Sequence, residues 1–481
     1  MRDRSPVAAY VWLMLIAAAV RVPFALLAPS LGGDGLVYLK VAENILRNFC
    51  VSLSDPASQA CAPHWGGNQL PGYPAFIAVI WGLFGDHGAP VRLAQTAVAV
   101  LAIAWLVRAV HRCVGGRAAV AAGLLLAVSP LQVAWPRHLL TETLALATTA
   151  WVFAELVLSL EARRLRLWPL AAALVAAFYV RYDNVLLVVP VAVGAFLIHS
   201  PWEAVRRGTV LALVVAVPVG GWLVRNVAVG LSPLPTYYRT AEGAPGPMGY
   251  LAWIKTWNTS LYDGARAVFP VASRSYSMIA IPDRAFTDDA ERIVVQGLLT
   301  ELRAYDGQAF PGAIDRRFAE LATVRRAARP WQYWLINPAR RIAHQWFDPF
   351  AGYGWPSEVE DARARERIRR MAEGGVAGIA KAVAAYPEVA LMKGLVTGYR
   401  YALLALTAFV TVLSVTRLRD PARAIVMLGA SYALTRTLAL SFFNESRYLV
   451  EAIPGMEVAV AVAVVGMWRG RRFTVGSHGR R

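Results

Sequence analysis

Val91–Arg112 reads VRLAQTAVAVLAIAWLVRAVHR and Arg117–Trp135 reads RAAVAAGLLLAVSPLQVAW, with only a short basic turn between them. Each run is about the 20 residues that a helix needs to cross a ~30 Å hydrocarbon layer. Runs of the same character lie at 7–29, 138–160, 167–182, 184–199, 206–225, 395–416, 422–443 and 448–468. The chain of 481 residues is 57% hydrophobic, with a mean hydropathy of +0.44. It reads as an all-α polytopic membrane protein, a bundle of about 10–11 transmembrane helices. A membrane β-barrel would show segments of about ten residues alternating apolar with polar, and this sequence has none.

A net charge of +18 invites a nucleic-acid reading, but its placement answers otherwise. Arginine outnumbers lysine 45 to 4, and the arginines fall on alternate loops: Arg2 and Arg4, Arg112 and Arg117, Arg163 to Arg166, Arg206 and Arg207, Arg417 to Arg423, and the tail. The positive-inside rule then puts both termini in the cytoplasm, with no nucleic acid as partner. Gln69–Gly85 (QLPGYPAFIAVIWGLFG) is apolar, short and broken by proline; a re-entrant or interfacial helix on the outer face preserves the charge rule. The first run follows Arg2 and Arg4 as a signal peptide would. Its length, Arg21, and the lack of a small-x-small site make it a retained anchor. Arg21 is expected to face the bundle interior and an acidic partner.

Three blocks follow: a transmembrane module at 1–229 with a first outer loop at 30–69, an outer segment at 230–394, and a C-terminal transmembrane module with a basic tail at 395–481. In the first loop, Gly35–Phe49 places Leu36, Leu39, Ala42, Ile45 and Leu46 on one helical face, as in a helix lying on the bilayer surface. Asp34 precedes it, where an ordinary N-cap is one reading. Cys50 and Cys61 share this loop and are a disulfide candidate in an oxidising compartment; Cys113 reads as a reduced thiol at the inner face. The outer segment begins loop-like through Gly249, then reads as helices at Asp288–Tyr305, Ile314–Arg329, Trp331–Trp346 and Glu358–Met371. Trp331, Tyr333, Trp334, Trp346 and Phe347 form an aromatic cluster of the interfacial kind, open to packing or to contact with lipid or sugar. Asp361–Arg370 reads as a solvated helix face.

Ionisable residues at the ends of apolar runs are the functional candidates, because a charge at the edge of a hydrocarbon layer is costly unless paired or wetted. They are Asp34, Glu142, Arg181 with Asp183, Arg225, and Glu445 with Arg447, all on the outer side. Plain alternatives exist for each. Arg181 can pair locally with Asp183, Glu142 can pair with Arg137 or another arginine, and Arg225 can snorkel to headgroups. Lys40 is close enough in sequence to Asp34 to reach the same anion. His138 follows Arg137 at a span entrance, and His64 reads as a loop histidine. Acids and arginines converging on one outer face suit transfer of a sugar from a lipid phosphate: a carboxylate takes the acceptor proton and guanidinium groups hold the phosphate.

The motifs resemble the GT-C superfamily of integral membrane glycosyltransferases, and most closely the lipid A aminoarabinose transferases and protein O-mannosyltransferases. The resemblance is carried by Gly33-Asp34-Gly35 with Tyr38, Gln69-Leu70-Pro71-Gly72-Tyr73-Pro74, Ser129-Pro130 before Leu140-Thr141-Glu142-Thr143-Leu144, Arg225-Asn226, and Glu445-Ser446-Arg447-Tyr448-Leu449. It covers about residues 1–230 and 395–468. It implies a GT-C-like bundle in which Asp34 is the catalytic acid of the first outer loop and Glu142 a second acid, where relatives often carry aspartate. It further implies donor-phosphate contacts from Arg447, Arg225, Arg181 and Lys40, and substrate contacts from Tyr38, Tyr73, His138 and Tyr448. The implied donor is a polyprenyl-phosphate sugar. The acceptor is a lipid, glycan or protein, and membrane lipids surround the chain. No cofactor is required; the paired acids leave a divalent metal open. The implied place is the plasma (inner) membrane with an extracytoplasmic active site. The other readings are an oligosaccharide ligase or polymerase with a diphosphate-linked donor, and a transporter or lipid flippase, which would place charges near the midplane in repeated halves.

Overall fold

All ten apolar runs form helices in the computed structural model, which describes residues 7–31, 34–55, 57, 70–231, 246–348, 351, 353–355, 367, 371, 374–442 and 446–475. In chain order they are α1 (Val7–Leu27), α2 (Gly35–Asn48), α3 (Gly72–Phe84), α4 (Gly88–Val114), α5 (Gly116–Val128), α6 (Glu142–Ala162), α7 (Leu167–Val180), α8 (Val188–Ile198) and α9 (Pro201–Ala228). After the outer segment come α15 (Gly375–Ala385), α16 (Pro387–Arg417), α17 (Ala422–Ala439) and α18 (Ile453–Val475), with α10 to α14 between. Seven of the described helices are long and apolar enough to span, and the protein is an integral membrane protein. The helix α3, of 13 residues, is about 20 Å long, and its first turn lies against the Tyr179 carbonyl at the end of α7.

Contacts between helix ends define two poles. At one, Arg92 donates to the Ala25 carbonyl at 2.7 Å and Ser30 bridges His138. At the other, Tyr10 bonds His111, Arg112 pairs with Glu161 at 3.1 Å, and Arg166 pairs with Glu155 at 2.7 Å. The chain alternates between the poles, so the C-termini of α1, α5, α7, α9 and α17 meet the N-termini of α4, α6 and α18 at the first. Gly429 lets α17 approach α18 closely, since a side chain there would strike the Gly455 carbonyl. Small residues at such crossings allow the backbone-to-backbone packing that holds helices together in lipid.

One expectation needs correction. The run 117–135 is not one helix. Ser129 precedes Pro130, which pushes it out of the helical region (ψ 115°), and α5 stops at Val128. The chain then passes through a buried turn and a 3₁₀ segment, Trp135–Arg137, before α6 opens at Glu142. Arg21 is buried as expected and feels the charge of a buried acid, Glu457, while it bonds carbonyls: Ala127 at 2.6 Å, Leu126 at 2.9 Å and Ala17 at 3.1 Å. The first two belong to the end of α5, whose last carbonyls lack helical partners and carry the negative end of its dipole.

The outer segment has a core of its own. The helices α10 (Met248–Trp257), α11 (Leu261–Ala272), α12 (Asp289–Arg303) and α13 (Gly312–Ala328) enclose Tyr250, Trp253, Leu298, Leu302 and Phe318. No helix is read from the sequence at the first two; α12 and α13 fall where the sequence places them. The Trp331–Trp346 run becomes a π turn, Gln332–Ile336, leading into α14 (Asn337–Phe347). Most of Glu358–Met371, including nearly all of Asp361–Arg370, lies outside the described residues. Cys50 is disulfide-bonded and Cys113 is a free thiol; Cys61 and His64 lie outside the described residues.

Glu291 ties this outer core together. It accepts from Trp253 at 3.0 Å and pairs with Arg325 at 2.8 Å. Burial alone would raise its pKa, but hydrogen bonds from Thr287 and Trp253 and the Arg325 charge hold it below the usual 4.5. A depressed carboxyl contributes stability that is present above its unfolded pKa and lost as pH falls through the folded one. Glu291→Gln is expected to destabilise the outer segment by about 1–3 kcal/mol at pH 7. Thermal unfolding of both proteins in detergent checks this, and the gap narrows once the pH falls below about 4.

Candidate active site

The first pole gathers charge in two layers. In the deeper one, Arg181, at the C-terminal end of α7, reaches three carboxylates: Asp183 at 3.0 Å, Glu451 at 3.0 Å and Glu142 at 3.3 Å. Arg436, near the end of α17, pairs with Asp183 at 2.5 Å and Glu451 at 2.9 Å. Arg436 and Glu451 are fully buried. Buried ions persist when they are paired, and each of these two meets more than one partner of opposite charge. Arg436 also donates to the Tyr448 carbonyl at 2.8 Å and to the Tyr432 hydroxyl at 3.0 Å. Glu451 and Tyr448 lie on a 3₁₀ segment, Ser446–Ala452, that leads into α18. The network therefore joins α6, α7, α17 and the approach to α18.

The outer layer is Asp34 with Arg447. Asp34 sits at the N-cap of α2, yet its side chain makes no capping hydrogen bond. It instead accepts from Arg447 at 3.2 Å and keeps 48% of its side chain exposed. Capping thus does not account for this residue. Arg447 reaches back to Glu142 at 3.8 Å and links the two layers. Tyr448 lies under both cations, with its ring 4.6 Å from the Arg181 guanidinium and 5.3 Å from that of Arg447. Cation–π contact of this kind holds a guanidinium plane without occupying its donors.

Aromatic groups and further cations border this centre. The Tyr38 ring meets Tyr73 edge-on at 5.2 Å, and the buried Tyr73 donates to Gln95 at 3.2 Å. Burial, then the Asp34 and Glu142 carboxylates, push the Tyr38 phenol far above its ordinary pKa, so it stays a proton donor. Arg225 stacks on Trp222 at 4.8 Å and donates to the Val51 carbonyl at 3.2 Å, tying α9 to the first loop. Lys40 is exposed on α2. His138 bonds the Gly354 carbonyl at 2.9 Å beside Trp135. Glu445 lies outside the described residues. Among the described residues, no group of three or more His, Cys, Asp or Glu is placed to hold a metal ion.

The structure thus joins Asp34, Glu142, Arg181, Asp183, Arg447 and Tyr448 in one network and sets Tyr38 close enough to feel its charge. Sequence reasoning missed Glu451 and Arg436. The available signal was their position inside apolar runs, where an ionisable residue is a functional candidate by default.

Residues 68–222 match the family model described as dolichyl-phosphate-mannose-protein mannosyltransferase. The similarity covers this stretch of the chain, from α3 into α9. The matched stretch holds Tyr73, His138, Glu142 and Arg181, and bears out the resemblance drawn from the sequence. No curated protein matches the chain. Among solved structures, ArnT from Cupriavidus metallidurans in the apo state is 17% identical, over 96% of this chain and 78% of that one, with a TM-score of 0.40. The same protein bound to undecaprenyl phosphate gives 17%, 96%, 78% and 0.37. The archaeal oligosaccharyltransferase AglB from Archaeoglobus fulgidus, in complex with an inhibitory peptide and a dolichol-phosphate, is 16% identical over 98% of this chain and 52% of that one, with a TM-score of 0.39. These scores are too low to assign a fold by themselves.

Without the Glu451 carboxylate, Arg181 and Arg436 keep Asp183 as a shared partner, and Arg181 keeps Glu142. Glu451→Gln is expected to cost about 1–3 kcal/mol of stability for the lost charged contacts. The same change is expected to cost less in an Arg436→Met background, where one of those contacts is already gone. Thermal unfolding of the single and double variants in detergent measures the coupling.

Proposed function

We propose that this protein moves a single sugar from a polyprenyl-phosphate-linked donor to an acceptor hydroxyl, with inversion, at the extracytoplasmic face of the plasma (inner) membrane. The observation that carries the reading is Asp34. It is a half-exposed carboxylate freed from capping, held at 3.2 Å from Arg447 at the pole where the helix ends converge. The match of residues 68–222 to a family named for a dolichyl-phosphate donor supports the substrate class. The alternate-loop arginines support the sidedness.

In this mechanism the acceptor oxygen attacks the anomeric carbon while Asp34 takes its proton. The bond from the anomeric carbon to the phosphate oxygen breaks, and the phosphate leaves with the electron pair. Arg447 turns from Asp34 to that developing charge, where a guanidinium fork suits paired phosphate oxygens. Arg181 is committed to three carboxylates; it holds Glu142 and Tyr448 in place and lends its charge to the phosphate from behind. Glu142, the second acid, orients Arg447 and the acceptor. Arg225 and Lys40 attract the phosphate from the rim. Tyr38, Tyr73, Tyr448 and His138 bound the space for sugar and acceptor. The acidic oxygens are bonded to arginines, and the step as written draws its charge stabilisation from those cations.

Asp34→Asn, reconstituted with a polyprenyl-phosphate sugar, is expected to lose about 10²–10⁴-fold in kcat, with donor KM changed little. Arg447→Gln chiefly raises donor KM. Wild-type-like transfer by Asp34→Asn rejects the base. Absence of transfer in the wild type, with lipid or solute flux across liposomes, would instead support transport.

A further inference from the structure

The helix that closes the outer segment is inside out. From Pro330 to Phe347 the chain is continuously helical, through the π turn into α14. Its polar side chains face the protein: Asn337, Arg341 and Gln345 are each 1% exposed. Each has a firm partner. Asn337 donates to the Thr256 carbonyl at 2.6 Å, Arg341 to Lys255 at 2.6 Å and Asn258 at 2.9 Å, and Gln345 to Leu440 at 2.7 Å. Its opposite face is apolar and uncovered. Trp331 (72% exposed), Leu335, Ala339, Ala343 and Phe347 recur every four residues along it, with Trp334 alongside. An amphipathic helix facing water shows the reverse arrangement. Loss of indole and leucine surface to water is unfavourable at about 25 cal/mol per Å², so an outward apolar stripe of this size calls for a nonaqueous neighbour.

The neighbour follows from continuity. Trp334 packs against Phe442 at 6.2 Å, where the α17 span ends, and Phe347 packs against Tyr401 of the α16 span at 5.3 Å. The stripe is therefore continuous with the surface of two membrane spans, meeting the end of α17 and the body of α16, with its tryptophans at the α17 end, as at a membrane interface. Exposed Arg329 and Arg340 flank it and suit lipid phosphates. We infer that Trp331–Phe347 lies in the bilayer interface as a surface-inserted helix that clamps the outer segment onto the membrane, with lipid acyl chains and headgroups as its ligand. The clamp adjoins the charged network: Trp346 donates to Thr437 at 3.1 Å, next to Arg436.

The test places a nitroxide at Leu335→Cys in a Cys113→Ser background, with the full chain reconstituted in phosphatidylcholine–phosphatidylglycerol vesicles. Collision rates with dissolved oxygen and with a water-soluble nickel chelate are then compared with those at Asp289→Cys on α12, whose side chain is 95% exposed. The expected result is a label at position 335 that oxygen reaches freely and nickel reaches at least several-fold less than the label at 289. Equal nickel access at both positions overturns the inference, since the stripe is then in water. Shielding from both reagents also overturns it, since the stripe is then covered by protein, such as a second copy. Ala339→Cys, on the same stripe, repeats the measurement if Leu335→Cys fails to assemble.

Discussion

Glu451, wedged between Arg181 and Arg436, is the constraint around which the charged pole is built. Its neighbours come from the ends of α7 and α17, and Asp183 closes the ring from the turn after α7. In a low-dielectric interior each ion is tolerable only while the others stay in place. The network therefore fixes the relative heights of helices that lipid alone would let slide, and stability at this pole becomes geometric precision at the site above it.

That precision is passed outward by Tyr448 and Arg447. The Tyr448 carbonyl is held by Arg436 and its ring supports Arg181, so the segment bearing Arg447 has little freedom. Asp34 then meets a cation whose position is set from beneath. In the proposed reaction, this half-exposed carboxylate serves for a proton and the prepositioned guanidinium for an anion. The deep carboxylates are occupied by arginines, which leaves Asp34 as the acid with open access. The interfacial helix bears on the same pole from the side: Gln345 and Trp346 grip the end of α17 close to Arg436. The membrane surface, the outer segment and the charged network thus share one element.

Much of this was legible in the residues. Helices in lipid must satisfy their backbone bonds internally, so apolar length located most of the helices. Asp34, Glu142, Arg181 and Arg447 stood out because charge at a hydrocarbon edge needs a reason. Glu451 and Arg436 were overlooked inside runs whose hydropathy masked them. The early helices of the outer segment were missed because Gly249 reads as a turn, while in the fold it lets α10 approach α13 at Asp315.

The sequence by itself determined an all-helical membrane protein, a helical segment between its apolar runs, and most of the charged residues at one pole, since these follow from local hydropathy and spacing. Only the tertiary structure decided who pairs with whom. It freed Asp34 from its capping role, set Arg21 against the carbonyls that end α5, and committed Arg181 to three carboxylates at once. The reason is physical: a side chain's partner across a bundle depends on helix packing and height, which residues distant in the chain set together.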